Sequence, residues 1–320
     1  MRQTQKRFKE WKWKPLVVMS VICLFLLAGG YKLYQHSIDN AVSGTTQSYM
    51  DQLAEHDIRN VGSQIDSRLN YLHAIGSRME LLRKDEQINI PYLLSVDAQA
   101  TDFQKLYLIT DNEFVYDSSY LVSSLDEMPW SDTYRDASGD FVVRFVVDKR
   151  EAWGEYLLYG IKLDVPFSYD GEQVDGIVGL VPLEELDGLI NLESFGGQGM
   201  TLIIEQSGTI ITASRYYDKG TNLNYFTELE QAVFSNKFSF EQCKKNISEG
   251  KSFYVEYEFQ DVQYNAMLKP VGDQSYGSGW YMVVKVPESV SAEQTKGYLR
   301  RSIFFFALIS IIVFGIMIFV

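Results

Sequence analysis

Val61, Ile65, Leu69, Leu72, Ile75, Met79 and Leu82 recur at steps of three and four. That spacing sets them on one face of an amphipathic helix. The pattern weakens between Ile38 and Leu53, where Ser, Thr and Gly44 intrude, and no proline falls between Pro15 and Pro91. After residue 101 the apolar period shortens towards two, in β-rich runs broken by polar turns. Uncharged apolar runs at 15–31 and 303–320 stand at the two ends. Each is long enough to cross most of a bilayer as a helix.

The strand-like region repeats itself. "LYLITDNEFVYDSS" (106–119) aligns without gaps to "TLIIEQSGTIITAS" (201–214). Each reads as a hairpin, two β-rich runs around a polar turn. A second pair follows in the same order: "YGIKLDVPFSYDGEQVDGIVGLVP" (159–182) and "YNAMLKPVGDQSYGSGWYMVVKVP" (264–287). Each member ends in Val-Pro followed by acidic residues, and Pro is tolerated where a helix starts. The repeat predicts that each half turns from sheet into helix, over 183–190 and again over 288–301. "SFGGQGM" (194–200) then joins two α/β units. Its glycine spacing is not that of a phosphate loop, and no Lys-Ser or Lys-Thr follows it.

Charge divides the chain. Residues 1–14 hold six Lys or Arg against the single Glu10, the basic flank of a cytoplasmic end. The totals are 29 Lys+Arg and 42 Asp+Glu, so setting that flank aside leaves −18 for the remainder. An acidic exterior of this kind is a poor partner for nucleic acid or anionic lipid. The expected topology is two-pass in the cell membrane. It has a cytoplasmic tail at 1–14, spans at 15–34 and 303–320, and residues 35–302 outside the cytoplasm. Cleavage of the first run as a signal peptide is the alternative, although Ala28-Gly29-Gly30 is a weak cleavage site. Lys296, Arg300 and Arg301 stand on the outer side of the second run, against the general trend. Cys23 and Cys243 are the only cysteines, and Cys23 lies in the first span, so packing must hold the exterior region.

With these patterns in view, the chain resembles the double-Cache sensor region of bacterial transmembrane receptors. The resemblance spans 15–320 and rests on the order of elements: anchored long helix, two successive PAS-like sheets, and a final helix feeding a second span. It implies an α+β fold with a stalk helix and connection at 35–100. A membrane-distal module follows at 101–193, a membrane-proximal module at 194–287 and a connector helix at 288–302. It also implies a homodimer formed through the N-terminal helix. A cytoplasmic kinase, diguanylate cyclase or chemotaxis domain is expected beyond the second span. The function implied is binding of a small solute, of open class, in the distal module. A two-span exterior domain that docks another protein is the alternative.

Catalytic patterns are missing: His36, His56 and His73 are the only histidines, and no HExxH, paired-Cys or Gly-x-Ser-x-Gly pattern occurs. The chain is therefore not expected to be an enzyme or to carry a cofactor. Four acids lie in "DVPFSYDGEQVD" (164–175), but without the ligand order of an EF-hand. Residues 128–163 concentrate the candidate ligand-binding side chains Trp130, Tyr134, Arg135, Arg144, Trp153, Tyr156 and Tyr159. Alternation puts Val142, Arg144 and Val146 on one strand face and Phe141, Val143 and Phe145 on the other. Aromatic walls with one or two fixed polar groups suit a small-solute pocket. Many amino-acid-binding relatives in the resembled family carry Arg-x-Trp-Tyr. The matching stretch here is Met128-Pro129-Trp130-Ser131, which keeps Trp130 and lacks the carboxylate-binding Arg. A free α-amino acid fits only if Arg135 or Arg144 substitutes. The second unit is expected to couple rather than to sense.

Overall fold

The computed structural model describes residues 2–82, 89–119, 121–137, 139–148, 154–183, 194–214, 224–235, 238–272, 279–290, 301, 303–305, 307–309 and 311–312. Helix α1 (Arg2–Leu82) is followed by α2 (Ile90–Ala100), opened by a side-chain cap from Asn89 with Pro91 in its first turn. The chain divides into two compact units, Met50–Pro287 and a second made of Met1–Tyr49 with Glu288–Val320. Among the described residues no helix is long and apolar enough to cross a membrane. The first expected span lies in the backbone of α1, but most of its side chains lie outside the described residues. So do much of the second span, most of the connector, the helix expected at 184–190, and Trp153.

The first sheet takes β1 (Lys105–Thr110), β2 (Phe114–Tyr116), β3 (Val122–Ser124), β4 (Phe141–Asp148), β5 (Gly154–Tyr169) and β6 (Glu172–Pro182) in the order β3-β2-β1-β6-β5-β4. The second takes β7 (Met200–Ile204), β8 (Ile210–Ala213), β9 (Val233–Phe234), β10 (Phe253–Phe259), β11 (Val262–Pro270) and β12 (Tyr281–Pro287) in the order β8-β7-β12-β11-β10-β9. Every pairing in both sheets is antiparallel. The run β2-β1-β6-β5-β4 has its exact counterpart in β8-β7-β12-β11-β10. The repeat in the sequence is thus a repeat of topology.

Ladder register tests the alignment residue by residue. Tyr107 pairs with Val178 and Leu202 with Val283, so the first gap-free alignment holds in β1 and β7. The second is three residues out in β5. Pro182 pairs with Tyr156, whereas Pro287 pairs with Tyr264, which makes Tyr156 and not Tyr159 the counterpart of Tyr264. Extra residues in β5 cause the offset, at the register shift between Lys162 and Phe167.

Both sheets bury both faces, and α1 supplies one cover. Its stripe Val61, Ile65, Leu69, Leu72, Ile75 and Met79 is buried, and each such side chain contributes roughly 1.5–3 kcal/mol. At Gly76 the helix comes so close that an added Cβ would lie 2.5 Å from Leu163 and 3.3 Å from Ile177. Arg68, also buried, donates to the Tyr159 hydroxyl at 3.4 Å and to Asp102 at 3.3 Å. Lower on the helix, Lys269 of β11 lies 2.8 Å from Asp51 and 3.8 Å from Glu55. The opposite faces are covered by short elements. On the first sheet these are a 3-10 turn (Leu125–Glu127) and α3 (Ser131–Arg135). On the second they are α4 (Tyr225–Gln231) and α5 (Phe240–Ser248), opened by caps from Asn224 and Ser239. Cys243 of α5 is buried in the second core, and burial pushes its thiol up to about 12.

Asp57 breaks the α1 stripe. It is 1 % exposed, its Oδ1 lies 3.3 Å from His56 Nδ1, and its Oδ2 has no partner among the described residues. Burial raises its pKa to about 6, with His56 partly opposing the rise. A raised acid pKa means that the folded state is penalised once the group ionises. The penalty is absent below the unfolded value near ~4 and complete above about 6. Asp57→Asn should therefore raise the melting temperature at a pH of about 7.5, by the equivalent of about 2 kcal/mol. The gain should vanish near pH ~4. Thermal melts of both proteins across this range check the prediction.

Candidate functional site

The face of the first sheet turned away from α1 carries an aromatic cluster. Tyr107, Ile109, Val115, Leu125, Met128, Trp130, Tyr134, Val142, Val146, Tyr156, Leu158, Val178 and Leu180 pack together there. Trp130 is at the entry to α3, and its carbonyl accepts from Tyr134 N at 3.0 Å. The indole lies between Tyr107, 5.4 Å away by ring centroids, and Tyr134, 6.4 Å away and edge-on. It is fully buried, yet its Nε1 has no acceptor among the described residues. Buried donors are normally paired, and this indole N–H, like that of Trp280 in the second module, is unanswered among the described residues.

Tyr134 owes its position to two glycines. A Cβ on Gly160 would lie 2.8 Å from Val142 and 3.1 Å from the Tyr134 ring, and one on Gly176 would run into the Tyr134 hydroxyl. Burial raises the Tyr134 pKa, and the negative charge of Asp175 adds to the rise. Asp175 stands on β6 where both neighbouring ladders slip, between Val174 and Gly176. A bulge of this kind re-aims a side chain. Burial, followed by repulsion from Asp111, raises the Asp175 pKa, while its own backbone N–H and Lys162 oppose the rise. The result is a half-buried carboxylate beside an aromatic wall.

The sequence candidates separate. Trp130, Tyr134 and Tyr156 come together in the cluster. Arg144 shares their face by alternation between Val142 and Val146 and pairs across the ladder with Leu158. It is half-buried, donates to Val143 O at 3.0 Å, and has its pKa lowered by burial while Glu205 of the second module pulls it up. Arg135 points elsewhere: it forks onto Glu113 at 2.6 and 3.0 Å and reaches Asp126 at 2.7 Å. Tyr159 is on the opposite face, edge-on to Phe103 at 5.9 Å and under the Arg68 guanidinium at 5.7 Å. It is a brace for α1, and burial raises its pKa against the pull of Arg68. Tyr107 and Asp175 were missed. Tyr107 was legible as the inward partner of Ile109 in an alternating strand, and Asp175 as an acid inside an otherwise apolar run. Among the described residues no group of His, Cys, Asp or Glu is arranged to hold a metal ion.

No protein-family model matches the chain. Solved structures do. The sensory domain of the Campylobacter jejuni chemoreceptor Tlp3 with isoleucine bound is similar at a TM-score of 0.54 and 13 % identity, over 79 % of this chain and 96 % of that one. The ligand-binding domain of the Pseudomonas fluorescens chemoreceptor CtaA in complex with L-leucine is similar at 0.54 and 12 %, over 79 % and 99 %. The Tlp3 domain with L-valine gives 0.54 and 13 %, over 79 % and 96 %. The fold is therefore that of bacterial chemoreceptor sensory domains, the double-Cache arrangement of tandem PAS-like modules.

The glycine seat yields a direct test. Gly160→Ala must displace Val142 or the Tyr134 ring, so it should cost about 1–3 kcal/mol and lower the melting temperature by several degrees. An unchanged melt would show that Tyr134 is not held against β5.

Proposed function

We propose that the chain is the extracytoplasmic sensing region of a two-span membrane receptor, and that the first module binds a small organic solute on the Trp130 face. The buried, unpaired Trp130 Nε1 carries this reading, because it is a donor waiting for an acceptor within an aromatic wall. The neighbouring folds support it, since Tlp3 and CtaA domains are described with isoleucine and with L-leucine bound. The polar groups suggest which solutes suit the face. Arg135 is committed to Glu113 and Asp126, Arg144 shares the face, and Asp175 with Asp111 adds a carboxylate pair beside the Tyr134 ring. Aromatic faces and a carboxylate together favour an ammonium group. The solute is accordingly an amine or an amino acid derivative with an acceptor for Trp130. The chain binds and does not catalyse, pairs with a second copy through α1, and passes the signal along 288–302 into the span at 303–320.

Thermal melting of the full chain in the presence of amines and amino acids tests the site. A solute that binds only the native state raises its stability, by about 2.7 kcal/mol at a hundred times its Kd. Trp130→Ala and Asp175→Asn should each abolish that rise while circular dichroism stays native, and Arg135→Ala should keep it. A rise retained in both of the first two variants would move the site elsewhere. If no solute gives a rise while crosslinking captures a protein, the docking reading gains.

A further inference from the structure

The second module carries a buried ion pair on the face that corresponds to the Trp130 face. In β12, Lys285 pairs with Ala266 just as Leu180 of β6 pairs with Leu158, so Lys285 occupies the place of Leu180. Its side chain is 3 % exposed, and its ammonium lies 2.6 Å from Glu228 Oε1 and 4.3 Å from the Tyr264 ring centroid. Glu228 is itself 4 % exposed on α4 and accepts from the Tyr257 hydroxyl at 2.5 Å. The Tyr257 hydroxyl is 3.1 Å from that of Tyr225. All this stands amid Leu229, Cys243, Ile247 and other buried apolar side chains. Tyr264 is the ladder counterpart of Tyr156, which lines the first module's cluster.

Stability alone does not call for such a pair. Desolvating two charges is expensive, and a well-packed apolar pair is often as stabilising or more so. Leu180 shows that the same position accepts an apolar residue in the sister module. A carboxylate and an aromatic face around one ammonium instead make a cation cage.

We propose that the second module is a solute-binding module occupied by its own exit strand, with the Lys285 ammonium standing where an organic cation would sit between the Glu228 carboxylate, held by the Tyr257 hydroxyl, and the Tyr264 ring. The inference rests on the reading of the equivalent face in the first module as the ligand face. It also explains how one module can sense while the other couples: the second is held permanently in a filled arrangement by a residue two positions before Pro287.

Lys285→Ala empties the cage and leaves a space the shape of propylammonium, so the probe is propylammonium added to the full-length variant. The variant should melt below the parent, and propylammonium should restore several degrees in a saturable manner. Propan-1-ol should not restore it, the parent should not respond, and Lys285→Ala combined with Glu228→Gln should not respond. If Lys285→Ala does not fold alone, propylammonium should permit folding where propan-1-ol does not. Equal effects of the amine and the alcohol, an equal rise in the parent, or no effect of either would overturn the proposal. The Trp130 and Asp175 variants leave this readout untouched, so failure here is distinct from failure of the first-module site.

Discussion

Two sheets, each buried on both faces, must be covered twice, and one long helix does half of that covering for both. The central strands show why. From Ile177 to Val181 in β6 and from Tyr281 to Val286 in β12 every residue is buried, whichever face it meets. Neither sheet could present such strands to water. The α1 stripe closes one side by apolar contact, and Arg68 on Tyr159 and Lys269 on Asp51 fasten it at two levels. Because that side is committed to packing, chemistry is left to the other side, under the short helices.

On that other side the two modules diverge. The first leaves its polar groups incompletely answered: an indole N–H without an acceptor among the described residues, and a carboxylate on a bulge raised in pKa by burial and by a like charge. The second answers its own. Lys285 and Tyr257 both donate to Glu228, and Tyr225 extends the chain through its hydroxyl, a network that burial makes costly to break. One topology thus holds a face with an unanswered donor and a face closed by an ion pair.

Much of the architecture was legible because periodicity reports faces. The α1 stripe, the paired hairpins and the alternation around Arg144 all follow from side-chain direction along regular elements. What escaped was set by features that periodicity does not encode. The extra residues in β5 shifted its register by three and moved Tyr159 to the α1 side, an outcome that alignment without gaps could not show. Arg68 and Asp57 lie inside the helix stripe, where a charged residue reads as surface. Glu228 and Lys285 are 57 residues apart and meet only because α4 folds over β12. The site was legible in its aromatics, which cluster in sequence, and not in Tyr107 or Asp175, which arrive from other strands.

The proposed role of the first module's aromatic face is to receive a solute at the Trp130 indole, whose Nε1 has no acceptor among the described residues. Nuclear magnetic resonance of the indole N–H groups tests it most directly, with the Trp130 signal assigned from Trp130→Phe. Titration with amines and amino acids should shift the Trp130 signal and slow its hydrogen exchange at one saturable concentration, while the buried Trp280 indole stays still. A solute that binds yet leaves the Trp130 signal unmoved would contradict the account.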